Sequence, residues 1–246
     1  MSVARVIIDS AGSGSHNMAV DEVLLRQAAS TDQVTLRFYS WSEPTLSLGY
    51  FQRFADRANH ANSQNAACVR RASGGGAILH HHELTYSIAV PVQDRFANSD
   101  LLYLAFHETL VKTLAATGIQ TRLADADDVQ HVGNAAFLCF QRRSVGDIVC
   151  GDSKITGSAQ RRWRQALTQH GSILLKASPF APELCGISDL IDCEIEVADL
   201  IAGWLPNLQT RLEMEFEASE LGASELAEAS ALRQSKFGRS EWTKRR

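Results

Sequence analysis

Two arginines and three glycines, in the run Arg70-Arg71-Ala72-Ser73-Gly74-Gly75-Gly76, are the residues of this chain whose types and order most directly suggest chemistry. Consecutive glycines lose much backbone entropy on folding and bring no side chain to pack, so they have little value inside a helix or strand. They make sense where a backbone must approach a ligand closely or adopt positive φ. The arginines add two charges and a planar donor fork. With exposed amide N–H groups beside them, they can hold a phosphate, carboxylate or thioester oxygen. A flexible hairpin turn is the competing reading. The run has no Gly-Lys-Ser/Thr ending, so it is not a Walker A loop, and it is not the GxGxxG of a dinucleotide fold.

Just beyond it lie His80, His81, His82 and Glu83. Adjacent residues of a strand point to opposite faces, so only His80 and His82 could share an ion. No second cluster supplies further ligands at a usual spacing, and a polar strand end with no structural metal is expected. The five cysteines, Cys68, Cys139, Cys150, Cys185 and Cys193, form neither a CxxC pair nor a zinc-ligand spacing. Their odd number, and an opening MSVARVIIDS without an apolar signal region, argue for reduced thiols in the cytoplasm. No apolar run reaches membrane-spanning length, so no membrane partner is expected. A net charge of -4 gives no bulk reason to expect nucleic acid. Residues 236–246 are locally basic and read as a solvated tail.

The elements that must position these groups follow from periodicity. With 45% hydrophobic and 21% charged residues, the 246 positions read as one domain, 1–246. Residues 3–8 form a short strand. Asn17 is expected to cap a helix running to about Ala29, with Asp21 and Glu22 in its first turns. Val34, Leu36 and Phe38 alternate with Thr35, Arg37 and Tyr39, the period of a half-buried strand. Pro44 breaks the chain before a second strand at 46–50. Leu84, Tyr86, Ile88 and Val90 alternate again, and Leu102, Phe106, Leu110 and Leu114 mark an amphipathic helix. Further strands are expected at 136–140, 147–150 and 171–175. From about Pro182 onward the chain reads as helices, broken near Leu205-Pro206. Strands and helices mix without a regular βαβ rhythm, which favours an α+β layer structure.

Five segments taken in order carry more than any one motif. NMAVDEVLL (17–25), LRFYSWSEPTLSLGYFQ (36–52), RRASGGGAILHHHELTYS (70–87), GDSKITGSAQRR (151–162) and QHGSILL (169–175) resemble the successive signature segments of the lipoate-protein ligase and octanoyltransferase family. The ending KFGRSEWTKRR (236–246) is similar to that of the family's cysteine-dependent octanoyltransferases. The resemblance implies an α+β fold with a mixed β-sheet and flanking helices, like the catalytic domains of biotin and lipoate protein ligases. It implies that the glycine loop lies along an acyl carbonyl or acyl-adenylate, which makes Arg70, Arg71, Ser73, Gly74, Gly75 and Gly76 substrate-binding candidates. Lys154 becomes the lysine that binds and polarises that group. Its chemistry suits the role, since a fixed ammonium stabilises a developing oxyanion, although a lysine after a Gly-Asp-Ser turn would by default be a surface residue. Gly157, Ser158 and Ala159 are small enough for an acyl chain to pass. His80 and His170 are candidate pocket residues, with structural roles as the alternative.

How the acyl group arrives separates two activities. A free carboxylate needs ATP, with Mg, to become an adenylate. A carrier-protein thioester is already activated and can exchange onto a cysteine. Cys139, in FLCFQRRSVGDIVCGDSK, resembles the nucleophile segment of the cysteine-dependent octanoyltransferases. Its apolar neighbours also suit a buried small hydrophobe. Arg142, Arg143 or Lys154 could favour its thiolate, and Cys150 is the rival. The expected reaction is octanoyl or lipoyl transfer from acyl carrier protein, through a Cys139 thioester, to a lysine of a lipoyl-domain protein such as glycine cleavage H protein or a dehydrogenase E2 subunit. No cofactor is needed on that route. The sequence Val145-Gly146-Asp147 departs from the aromatic-acid pair of such transferases and is similar to the Asn-Asp segment of ATP-dependent ligases, which keeps lipoate ligation as the alternative. The accessory domain common in bacterial ligases is not expected after the segment 236–246, although some ligases keep it on a separate polypeptide. An inactive acyl-binding module and a biotin substrate are further readings.

Overall fold

In the computed structural model, residues 2–92, 96, 98–129, 136–191 and 193–246 are described. The apolar patterns produce β1 (Ser2–Ile8), α1 (Gly14–Thr31), β2 (Val34–Tyr39), β3 (Thr45–Leu48), β4 (Ala67–Arg70), β5 (Ile78–His80), β6 (Glu83–Pro91) and α2 (Ser99–Ala116). They continue with β7 (Arg122–Leu123), β8 (Ile148–Cys150), β9 (Ser153–Trp163), β10 (Ala166–Leu174), α3 (Ile187–Leu190), α4 (Val197–Leu212), β11 (Met214–Ala218), α5 (Ala223–Leu232) and α6 (Ser240–Thr243). The main sheet runs in the order β11-β1-β2-β6-β10-β9-β8-β7. It is parallel across β11, β1 and β2 and antiparallel from β2 to β7. A small second sheet, β4-β3-β5, carries the glycine loop between β4 and β5. The mixed sheet with flanking helices is the α+β architecture expected. No helix of the described residues is long and apolar enough to cross a membrane.

Helices cover both faces of the main sheet. Phe106 and Leu110 of α2 and Trp204 and Leu208 of α4 pack on Leu36, Phe38, Tyr86 and Ile88. On the other face, Val23 and Leu24 of α1 and Leu232 of α5 pack around Tyr39 and Ala89. This double cover explains why β2 is buried at every residue, not at alternate ones. Its apolar positions face α2 and α4. Its polar positions face α1, where the fully buried Arg37 reaches Asp9 at 2.8 Å and Asp21 at 3.0 Å.

Several expectations are corrected. Asn17 is not a cap, because α1 starts at Gly14 with Ser13 before it. The buried Asn17 amide instead donates to Gly12 O and Ser40 O, tying the helix to the β2–β3 loop. Residues 136–140 form no strand: Leu138 makes one bridge to Ala77, and Cys139–Gln141 is a 3-10 turn. Pro206 does not break α4, which is continuous through it. Pro206 and Ala202, the residue whose carbonyl loses a partner there, are both exposed, so water can satisfy the free oxygen. The 182–246 region is not all helical, since β11 adds to the sheet beside β1. His81 and His82 lie in a turn after β5, stacked with ring centroids 3.7 Å apart, and not on a strand. The basic residues 236–246 are no solvated tail: Phe237 and Thr243 are buried, and Trp242 donates to Arg70 O.

Candidate active site

The two arginines before the glycines are both buried, yet they do different things. Arg70 turns away from the loop and donates to Gly49 O, Gln52 O and Thr243 O. Arg71 turns under the loop, donating to Ser47 O at 2.8 Å, Gly74 O at 2.7 Å and Gly76 O at 2.6 Å. Gly75 adopts φ +91, and its carbonyl packs so tightly on Gly49 that a Cβ there would stand 2.0 Å from it. The peptide bonds of the described residues are trans, so each N–H lies opposite the preceding C=O. The Gly75 and Gly76 N–H groups therefore point away from Arg71 and Gly49.

A cavity of about 370 Å³ opens beside this loop, within the range of about 300–1,000 Å³ typical of small-molecule sites. Gly74 and Gly75, Cys139, Lys154 and Asp147, and the Gly157-Ser158-Ala159 stretch of β9 line it together. Lys154 follows the Gly151-Asp152 turn but points inward: its Nζ lies 2.7 Å from Asp147 Oδ2, and both side chains are under 5% exposed. Asp147 is held from three sides, since Ser144 N donates to Oδ2 and Tyr103 OH to Oδ1. Burial, then the charge and hydrogen bond of Asp147, raise the Tyr103 pKa, so its proton stays on the phenol. Gly157 makes the lysine's inward course sterically feasible: a Cβ there would lie 2.6 Å from Lys154 Cε and 2.8 Å from Nζ.

Cys139 opens its 3-10 turn directly against the glycine loop. A Cβ on Gly76 would stand 3.1 Å from the Cys139 amide nitrogen, which donates to Ala77 O at 2.7 Å. The side chain is half-buried. Burial lowers the Arg71 pKa to about 10, which still leaves the guanidinium protonated at neutral pH. A fixed cation thus sits near the sulfur. Arg142 donates to Ala136 O and Arg143 to Asp152 O. Cys150 is buried in the core of the main sheet, where burial raises its pKa. The rival cysteine does not line the cavity.

The histidines divide. His170 reaches the cavity wall, its Nε2 2.5 Å from Ser73 Oγ. Burial, then Arg71, holds its pKa at about 3, so it is neutral. His80 lies behind the loop, stacked on Trp41 at 3.8 Å and bonded to Ser47 Oγ at 2.8 Å and Glu83 Oε1 at 2.7 Å. It supports the loop through Ser47, which also accepts from Arg71. Among the described residues no group of three or more His, Cys, Asp or Glu is arranged to hold a metal ion.

Three further residues, Tyr86, Tyr103 and His107, belong to the site, and of these only Tyr86 lies in a signature segment (70–87). His107 donates from Nδ1 to Gly146 O, so its Nε2 must accept from Ser158 Oγ at 2.7 Å. Ser158 accepts in turn from Tyr86 OH at 2.6 Å. Burial lowers the His107 pKa to about 4 and raises that of Tyr86, fixing this donor sequence under the cavity floor. Tyr86 and His107 belong to elements read as apolar core stripes, and Tyr103 shares the α2 helix. The only other available signal was polar residues at positions whose period points inward.

The model of the lipoyl protein ligase A/B catalytic domain matches residues 13–182. The chain is 30% identical to octanoyltransferase LipM of Carboxydothermus hydrogenoformans, over 98% of each protein. It is 31% identical to octanoyltransferase LipM of Bacillus anthracis, over 94% of each. Its fold superposes with a TM-score of 0.77 on a bipartite lipoate protein ligase from Thermoplasma acidophilum, at 18% identity, covering 99% of this chain and 97% of that one.

Proposed function

This chain belongs to the lipoyl protein ligase A/B catalytic-domain family, and we propose that it moves an octanoyl group, or a lipoyl group, from a carrier-protein thioester through Cys139 to a lysine of a lipoyl-domain protein. The observation that carries this reading is the convergence of Cys139, the glycine loop and the Lys154–Asp147 pair on one cavity. Relatives of nearly full-length match that bear the name octanoyltransferase support it.

The chemistry follows from the placement. The Cys139 thiolate attacks the carbonyl carbon of the donor thioester, and a tetrahedral oxyanion forms. The Gly75 and Gly76 N–H groups and the Lys154 ammonium are the donors we assign to that oxygen. Collapse breaks the bond to the carrier's sulfur, which leaves as a thiolate and takes up a proton. The octanoyl group then sits on Cys139, its chain along Gly157, Ser158 and Ala159. The amine of the acceptor lysine attacks the new thioester, the Cys139 sulfur leaves, and the amine gives up a proton as the amide forms. Asp147 holds Lys154 in place without consuming all of its three N–H donors.

The route needs no cofactor, since the donor thioester is already activated. The ATP-dependent alternative would need Asp147 free for a nucleotide and its metal, but Lys154, Tyr103 and the Ser144 amide already engage both of its oxygens. The acyl carrier protein as donor, glycine cleavage H protein or a dehydrogenase E2 domain as acceptor, and a cytoplasmic setting belong to the same reading. The described cysteines are all free thiols, in keeping with a reducing compartment. The test is to incubate the protein with octanoyl carrier protein and a lipoyl domain, with and without ATP. Equal octanoylation in both supports transfer. A strict requirement for ATP with free octanoate or lipoate would replace it with ligation.

A further inference from the structure

We propose that the basic segment 239–246 and the aromatic loop beneath it form the docking surface for an acidic donor carrier protein, an inference that rests on the transferase reading. The net charge of -4 conceals a strong segregation. Residues 183–228 hold twelve acidic side chains and one basic, Arg211, whereas residues 233–246 hold six basic and one acidic, Glu241.

The basic segment is fixed at the rim of the cavity. Trp242 Nε1 donates to Arg70 O at 2.9 Å, Arg70 Nε to Thr243 O at 3.0 Å, and Phe54 N to Arg246 O at 2.8 Å. Arg70 also holds Gly49 O and Gln52 O, so tail and loop 49–52 are pinned together. That loop abuts the glycine loop, with Tyr50 N donating to Ser73 O at 2.9 Å and the Phe51 ring 4.0 Å from where a Cβ on Gly74 would lie. Phe51 is 68% exposed. Arg245 lies over the Tyr50 ring at 4.0 Å, and Arg246 over Phe51 at 5.3 Å. No salt bridge of the described residues involves Lys244, Arg245 or Arg246.

An exposed aromatic flanked by arginines without carboxylate partners has the composition of an interface centre, and its unpaired charge attracts an acidic surface. A carrier protein is too large to enter the cavity and must dock on the rim while its thioester arm reaches Cys139. The glycine loop meets Phe51 at Gly74 and the Cys139 backbone at Gly76, so this rim adjoins the nucleophile. A donor presents a neutral thioester. The acceptor presents a lysine, whose charge an arginine rim repels.

The experiment compares wild type with the double variants Arg245→Glu/Arg246→Glu and Arg245→Ala/Arg246→Ala. Cys139 acylation is measured with octanoyl carrier protein and with octanoyl-pantetheine. The charge reversal is expected to lower kcat/KM for the carrier protein by about tenfold or more, the alanine variant less, and the salt dependence of that rate should flatten. Unchanged rates with octanoyl-pantetheine show that the fold and site are intact. Unaltered carrier kinetics, or a loss confined to the KM for the lipoyl domain, overturns the proposal. So does arginine-dependent binding to phosphatidylglycerol vesicles accompanied by normal carrier kinetics. If octanoyl carrier protein fails to acylate wild-type Cys139, the transferase reading itself falls, and the docking proposal with it.

Discussion

The two walls of the cavity spend their polar groups differently. On the glycine-loop wall, Arg70, Arg71 and His80 are almost fully absorbed by backbone carbonyls and neighbouring side chains. On the β8–β9 wall, Lys154 meets a single carboxylate and keeps donors for a ligand. On the proposed mechanism the first wall is a preorganised support and the second holds the reactive charge. Adjacent, chemically identical residues therefore need not share a role: Arg71 underlies the loop, while Arg70 staples the tail to loop 49–52.

This contrast can be broken by substitution. Cys139→Ala should abolish acyl transfer to the lipoyl domain, as measured by mass spectrometry of the acceptor, and normal turnover would remove the covalent route. Lys154→Met should lower kcat by about 10²–10³-fold, the range for loss of one oxyanion donor, with a smaller change in KM. A reduction confined to KM would make Lys154 a mere binding group. Gly157→Ala places a methyl where Lys154 now runs, so kcat should fall by about tenfold or more while the thermal midpoint stays near wild type. Arg70→Ala, on the supporting wall, should behave in the opposite way. It strands buried carbonyls, at a cost of about 1–3 kcal/mol in urea unfolding, with kcat for octanoyl-pantetheine little changed. A kcat loss as deep as that of Lys154→Met would erase the distinction between the walls.

A further effect concerns pH. His107 and His170 have folded pKa values of about 4 and about 3, below the ordinary 6.5, chiefly through burial. The unfolded chain therefore binds their protons first. Their stabilising contribution is complete above about pH 6.5 and is lost as pH falls from there toward the folded values, by about 2 kcal/mol each at pH 5. His107→Gln should flatten the fall in urea midpoint between pH 7.5 and 5. An unchanged slope would show that the histidine is not held neutral.

Much of the candidate site is legible because the parts that meet at the cavity lie in short, ordered segments: the glycine loop, Lys154 after its turn, Cys139, and the small residues at 157–159. What sequence could not supply was direction. Nothing in Arg70-Arg71 says which guanidinium turns under the loop, since that depends on where Gly49 and Ser47 of another strand lie. β9 has no apolar alternation to reveal it: its Gly157-Ser158-Ala159-Gln160 stretch is small and polar, pairs with β10 alone, and is half-buried beyond Gly157. β11 alternates Met214 and Phe216 with glutamates, a pattern overruled by helix-favouring composition around it. Tyr103 and His107 were hidden on α2, whose apolar period reads as core packing.

The central claim is that the acyl group rests on Cys139 between donor and acceptor. Intact-protein mass spectrometry after brief exposure to octanoyl carrier protein, without ATP and without acceptor, tests it most directly. A single octanoyl adduct is expected, located on Cys139 by peptide mapping, absent from Cys139→Ser and discharged on adding a lipoyl domain. An acceptor octanoylated at the wild-type rate by Cys139→Ser, or an adduct that the lipoyl domain cannot discharge, would contradict it.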